Sequence, residues 1–228
     1  MPGKALGIAA IAGALVSLIV VWAAGSGADG PTNMAKLPSP DTQGKMTLEK
    51  AMAGRRSVRE FTGARLSQQQ ISQLCWAAQG VTDDKGHRTC PSAMATYPLE
   101  IYVATADGVM HYLPATHSLE EHRKDDRRPA LKAATGGQLA VGAAPAVFVI
   151  AAVVERTAKR CGDRAERMVL IEVGHCAQNL LLQAAAMGLG AVPVGGGEPE
   201  QLAKAVDLPD GCKAMYMVPV GVPGKSSQ

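Results

Sequence analysis

The longest helical pattern in the sequence covers Ala165–Met187, and it constrains the fold of the chain more strongly than any other feature. A helix of this length would span about 35 Å, roughly the width of a whole small domain. Gly188 follows directly and predicts where the helix ends. The apolar, β-branched run Ala146–Val154 comes shortly before it and is typical of a strand buried on both faces. Together these patterns predict a sheet with a long helix packed against it.

Shorter patterns complete the prediction of an α+β fold with three layers, α/β/α. Capping residues predict the starts of two more helices, at Thr47 and Ser67. Leu99–Thr105 alternates like a strand, and Asp107 with the following glycine predicts a tight turn into Val109–Leu113. Because hairpins occur together with alternating helices and strands, we expect a central mixed sheet flanked by helices.

The N-terminal part of the chain predicts a membrane association. Ala5–Ala24 carries no charge and is about as long as a helix that crosses a hydrocarbon core. We therefore interpret residues 1–28 as a signal peptide or a transmembrane anchor, two alternatives that the residues leave open. The expected location is membrane-anchored or exported, with the body on the extracytoplasmic, periplasmic face. Residues 29–45 then form a linker, 46–222 the folded domain and 223–228 a C-terminal tail.

Charge and composition exclude several classes of function. The net charge of +3 is too small to indicate a nucleic-acid partner, and no basic stripe is interleaved with aromatic residues. The charged stretch 114–130 is expected to be a solvated face or a mobile loop. Five cysteines are present but none forms a CxxC motif, and the histidine and cysteine spacings match no standard ligand set. We therefore expect no metal site.

The densest concentration of charge is the segment Arg55-Arg56-Ser57-Val58-Arg59. Three guanidinium groups so close together repel one another unless an anion lies among them. A phosphate fits this role, because arginine binds phosphate oxygens in a bidentate manner and Ser57 adds a neutral donor. A solvated basic turn is the alternative that this spacing alone leaves open.

Two further segments are candidates for contact with a flat ligand. Small residues and two prolines in the loop Cys90–Pro98 would allow the backbone to approach a planar ring closely. The segment Gly188–Gly197 contains a short strand that ends in three glycines, which would expose bare amides and carbonyls. Its first glycines lie between a helix and a strand, the reverse of the order in a dinucleotide-binding turn. Each segment could instead be a structural connector.

Five motifs follow one another along the chain: RRSVREF, LSQQQISQLCWAAQGV, TCPSAMATYPLEIYV, IEVGHCAQNLLLQAAAMGLGAVPVGG and YMVPVG. In this order they resemble the nitroreductase superfamily, and most closely its SagB-type branch of thiazole/oxazole-oxidase-like dehydrogenases. The resemblance covers about residues 46–222.

The resemblance implies an intertwined homodimer that binds two FMN molecules at the subunit interface. The early arginine motif of the family holds the FMN phosphate and ribityl chain, and the loop before the first long strand reaches the isoalloxazine ring from the partner subunit. The late glycines lie near the ring and its N5 edge, and a polar residue bonds the ring. In this sequence the corresponding residues are Arg55, Arg56, Ser57 and Arg59, then Pro91, Ser92 and Ala93, then Gly195 and Gly196, and finally Gln138.

The implied activity is transfer of hydride or electrons between a reduced donor, NAD(P)H or a membrane quinol, and a small organic or peptide substrate. The flavin N5 carries this chemistry, and no side chain is identified as catalytic. Two positions depart from the family pattern: Met94 stands where the loop usually has glycine, and Gly197 where the branch often has an aromatic residue. They support one alternative, a catalytically lapsed flavin-binding or structural dimer on the same fold.

Overall fold

The computed structural model of the chain describes residues 34–225. They form one seven-stranded sheet with helices on both faces. The strands are β1 (Met34–Lys36), β2 (Leu99–Thr105), β3 (Gly108–Leu113), β4 (Ser118–Arg123), β5 (Ala146–Ala152), β6 (Gly190–Ala191) and β7 (Lys213–Gly221). The helices are α1 (Leu48–Gly54), α2 (Gln68–Gln79), α3 (Arg128–Ala134), α4 (Leu139–Ala143), α5 (Val154–Cys161), α6 (Ala165–Ala186) and α7 (Pro199–Val206).

The strands follow the order β1-β4-β3-β2-β5-β7-β6, and every neighbouring pair is antiparallel. Short turns join β2 to β3 and β3 to β4, and such turns reverse the chain direction. The mixture of parallel and antiparallel strand pairs that the sequence predicts is therefore limited. Among the described residues, the one parallel contact is an isolated bridge between Ser57 and Ala191.

Strand β5 lies in the middle of the sheet, and all seven of its residues are buried. Its alternate residues face opposite layers, as the continuous apolar pattern predicts. Phe148 and Ile150 pack into one core with α2 and α6, whereas Val147 and Val149 pack into a second core with α3, α4 and α7. This arrangement confirms the three-layer α/β/α fold.

Local signals in the sequence correctly predict helices α2 and α6, which pack into the same core. Helix α6 begins and ends within one residue of the predicted segment, and Gly188 beyond it has φ +69°. At the start of α2 the Ser67 hydroxyl accepts a hydrogen bond from the Gln70 backbone amide, and the Gln70 side chain accepts one from the Ser67 amide. The predicted capping box is confirmed.

Two segments differ from their predictions. Residues 34–36, expected within a linker, form an edge strand that pairs with β4, and Leu37 directly after them is buried in the core. The charged stretch 114–130, expected to be a solvated face or a mobile loop, contains strand β4, whose charged residues are partly exposed. Both short strands depend on partners distant in sequence, so local patterns carry little signal for them.

The prediction of a membrane-anchored or exported protein is corrected. Within residues 34–225 no helix combines the length and the apolar character that a membrane span needs. The segment on which that prediction rested, Ala5–Ala24, lies outside the described residues.

Candidate active site

The arginine segment leaves the end of α1 and runs beside the short strand β6. The Val58 amide donates a hydrogen bond to the Ala191 carbonyl at 3.0 Å, which fixes the segment against the sheet. A Cβ atom at Gly190 would lie only 2.5 Å from Cγ1 of Val58, so glycine allows the close approach. Val58 is buried, and its neighbours Ser57 and Arg59 are exposed. This packing directs the polar residues of the segment outwards.

A cavity of about 390 Å³ lies where the arginine segment meets α6 and β7. Arg55 and Ser57 line one side of it, and Tyr216 of β7 lines another. The remaining wall consists of Pro193 and a face of α6 made of Gly174, Ala177, Gln178 and Leu181. A second cavity of about 300 Å³ shares Arg55 and Leu181 with the first.

Positive charge dominates this region. The Arg56 side chain caps the C-terminal end of α1. Its Nη1 donates hydrogen bonds to the backbone carbonyls of Ala53 and Arg55 at 3.0 and 2.8 Å. Neither Arg55 nor Arg59 forms an ion pair with a carboxylate within residues 34–225. Guanidinium groups without an acidic partner favour an anionic ligand, because phosphate and carboxylate oxygens match their paired N–H donors.

The late glycines follow Pro193, which lines the cavity. A Cβ atom at Gly195 would lie 3.1 Å from the Tyr216 ring, and one at Gly196 would lie 3.1 Å from Nε2 of Gln138. Gly195 is therefore next to a residue that lines the cavity, whereas Gly196 and Gln138 lie beside each other and do not line it. Gly197 has φ +113°, and a Cβ atom there would lie 2.7 Å from the Ala134 carbonyl oxygen. An aromatic residue cannot occupy this position unless the backbone shifts.

The loop that contains Pro91, Ser92 and Ala93 is placed elsewhere. These residues do not line the cavity at Arg55, and the loop is attached instead to an earlier part of α6. The Ala93 amide donates a hydrogen bond to Oε1 of Glu172 at 2.8 Å. Within one chain, therefore, the predicted cofactor residues form two separate groups.

Comparison with known proteins identifies the family. The sequence model of the nitroreductase family matches residues 52–222. The chain belongs to the nitroreductase family. Membership of this family supports the conclusion that the chain is an oxidoreductase enzyme and a flavoprotein.

Individual relatives agree with this assignment. A nitroreductase-like protein of Methanocaldococcus jannaschii is 40% identical over 191 residues, which cover 80% of this chain and 93% of the relative. The crystal structure of a nitroreductase-like protein of Ralstonia eutropha is similar with a TM-score of 0.77 and 33% identity, covering 84% of this chain and 90% of that one. An NADPH:FMN oxidoreductase of Vibrio harveyi complexed with NAD+ is similar in fold, with a TM-score of 0.59, 21% identity and coverage of 78% and 69%.

The structure adds three residues to the candidate site of this nitroreductase-family chain: Gln178, Tyr216 and Glu172. Gln178 and Tyr216 line the cavity but belong to no charged or glycine-rich motif, so only their place in the fold reveals them. Glu172 carries a detectable signal, since it falls in the buried stripe of α6 with Val169 and Val173. An acidic residue at an apolar position of a helix indicates a specific partner.

Proposed function

We propose that the chain is an FMN-dependent oxidoreductase of the SagB-type branch, active as a homodimer. It would transfer hydride or electrons from NAD(P)H to a small organic or peptide substrate. The observation that carries this proposal is the cavity lined by Arg55, Ser57 and Tyr216. Arg55 and the exposed Arg59 of the same segment have no acidic partner among the described residues.

The arginine segment fits the phosphate end of FMN. Arg55 lines both cavities, Ser57 offers a hydroxyl donor beside it, and Arg59 is exposed on the same segment. Arg56 keeps Nε and Nη2 available, because only its Nη1 is engaged with backbone carbonyls. Together these groups would hold the phosphate and the ribityl chain.

The glycine turn fits the flat ring of the flavin. Gly195 and Gly196 leave backbone without side chains beside Tyr216 and Gln138, and the exposed Gln138 amide can both donate and accept a hydrogen bond. When bound, FMN supplies the redox chemistry at N5. The residues of the chain would orient the ring and limit its contact with water.

A second copy of the chain would complete this site. The loop residues Pro91, Ser92 and Ala93 lie away from the cavity of their own chain, although the family resemblance assigns them to the flavin ring. Leu170 and Ile171 of α6 are 54% and 45% exposed, an apolar surface that association would bury. We therefore infer that the loop of one protomer reaches the cavity of its partner.

The test is FMN binding by the full chain and by a double variant, Arg55→Ala with Arg59→Ala. The wild-type chain should bind one FMN per protomer, visible in its absorption spectrum. Loss of charge-assisted hydrogen bonds from two side chains should raise the FMN dissociation constant at least about 100-fold. Circular dichroism should show that the double variant remains folded, because both side chains are outside the core.

Lys204→Ala with Lys213→Ala is a control that removes the same charge from exposed positions elsewhere. It should bind FMN like the wild type. Stoichiometric FMN in the arginine variant would refute the phosphate assignment. If bound flavin is not reduced by NADH or NADPH, or not reoxidised by a quinone or nitroaromatic compound, the chain is a flavin-binding protein rather than an enzyme.

A further inference from the structure

The loop between Pro91 and Tyr97 has an unusual backbone conformation. Met94, Ala95 and Tyr97 have φ values of +53°, +51° and +44°, in the left-handed region that residues with a side chain rarely adopt. Each such residue is unfavourable, and three within four positions persist only where surrounding contacts hold them. Strain of this kind concentrates at ligand-binding and catalytic sites.

The carboxylate of Glu172, on α6, contacts this loop. The Ala93 amide donates to Oε1 of Glu172 at 2.8 Å, and the Ser92 side chain lies close enough to this carboxylate to lower its pKa. The Ser92 hydroxyl oxygen in turn accepts a hydrogen bond from the Tyr97 amide at 2.9 Å. The bond from Ala93 to α6 and the bond from Tyr97 to Ser92 therefore flank the strained positions 94–97.

Glu172 lies in an environment that disfavours a charge. It is 4% exposed, and burial raises the pKa of its carboxyl group, although the Ala93 amide and Ser92 oppose that rise. A carboxylate that only filled space there could be replaced by an apolar residue with little loss of stability. Its hydrogen bonds to the loop are the contribution that an apolar residue cannot make.

We propose that Glu172 is a positioning residue, which holds the loop in the conformation that presents Ser92, Ala93 and the exposed Met94 to the flavin. This inference rests on the proposed function, because only that function assigns the loop to a flavin site. Met94 is 70% exposed at the apex of the loop, so its place beside the ring would follow from the anchor at Glu172.

The experiment compares Glu172→Ala, Glu172→Gln and Ser92→Ala with the wild-type full chain. A matched control is Glu166→Gln, which alters an exposed acidic residue in the first turn of the same helix. Two quantities are measured: the hydrogen-exchange rates of the Ala93 and Tyr97 amides, and the FMN dissociation constant. Thermal denaturation reports separately whether each variant is folded.

Glu172→Ala should accelerate exchange at both amides and raise the FMN dissociation constant about 10- to 100-fold, as expected for lost bonds to a charged acceptor. Glu172→Gln should have an intermediate effect, since its amide oxygen can still accept from the Ala93 amide. Ser92→Ala should accelerate exchange at Tyr97, whereas Glu166→Gln should match the wild type.

Wild-type exchange and wild-type FMN binding in Glu172→Gln and Ser92→Ala would overturn the proposal, even if Glu172→Ala failed to fold. Faster exchange with unchanged FMN affinity would also overturn it, because Glu172 would then stabilise a loop that does not serve the flavin. A wild-type chain that takes up no FMN would refute the proposed function itself. The exchange rates would still show whether Glu172 anchors the loop.

Discussion

Gly190→Ala tests how the arginine segment is held against the sheet. A Cβ atom at this position would lie 2.5 Å from Cγ1 and 2.8 Å from Cβ of Val58. Val58 is only 9% exposed, and its amide is bonded to the Ala191 carbonyl. Neither side can yield without loss of packing or of this hydrogen bond, so we expect the arginine segment to move outwards.

The expected destabilisation is about 1–3 kcal/mol, the usual range for an added methyl group in a packed core. For a chain of this size, that corresponds to a melting temperature lower by about 2–12 °C. FMN affinity should fall as well, because Arg55 and Ser57 belong to the displaced segment. Urea denaturation gives the free energy of unfolding, and FMN titration gives the dissociation constant.

Val58→Ala provides the matched test of the cause. It removes the γ-carbons that lie nearest to the added methyl group but leaves Cβ at 2.8 Å, so relief should be partial. The double variant should therefore be more stable than the sum of the single effects predicts, by about 0.5–2 kcal/mol. Strict additivity, or a Gly190→Ala variant as stable as the wild type with unchanged FMN affinity, would refute the steric argument.

Two further substitutions, Gly197→Ala and Glu100→Gln, test the turn beside the site and an ion-paired residue of strand β2. Gly197→Ala should lower the free energy of unfolding by about 1–3 kcal/mol, because φ is +113° and the added Cβ would lie 2.7 Å from a carbonyl oxygen; unchanged urea stability would contradict this. Burial would raise the pKa of Glu100, but the hydrogen bond to His111 and the charge of Arg156 outweigh it and lower the pKa. The folded pKa thus lies below the unfolded value of about 4.3, so this stabilisation is complete above that pH and is lost as the pH falls through the folded pKa. Glu100→Gln should therefore be less stable than the wild type at pH 7 and closer to it in acid, and a pH-independent difference in urea stability would refute the assignment.

The parts of the fold that sequence predicts best are those stabilised by local or strongly periodic patterns. Helix α6 is confirmed because it buries residues at helical spacing, and strand β5 because its continuous apolar run is buried on both faces. Strand β4 could not be predicted in this way, because it is charged and partly exposed. Pairing with β1 and β3 holds it in the sheet, together with contacts such as that between His122 and the end of α7.

Some residues of the candidate site can likewise be recognised from sequence, and others only from the structure. The arginine and glycine segments are recognisable because their composition is unusual. The structure brings Arg55 and Ser57 to one cavity and places Gly195 beside Tyr216, which also lines it. Tyr216 lies beside the glycine segment because Val194 and Met217 form a bridge between the chain after β6 and β7, a pairing that no local pattern encodes. Glu172 stands between apolar residues of the long helical pattern, but its hydrogen bond to the loop is visible only in the structure.

Helix α6 connects the two groups of site residues and also allows them to be tested separately. Glu172 holds the loop, and Gln178 lines the arginine cavity six residues later, about 9 Å further along the helix axis. A rigid helix keeps this separation fixed, so a substitution at Glu172 can release the loop without moving the cavity. A substitution at Gly190 displaces the arginine segment without touching the loop. Because the two groups share no direct contact, their effects on unfolding should be nearly additive. In the proposed dimer, any non-additivity in FMN affinity would then arise where the partner's loop and the cavity meet the same ligand.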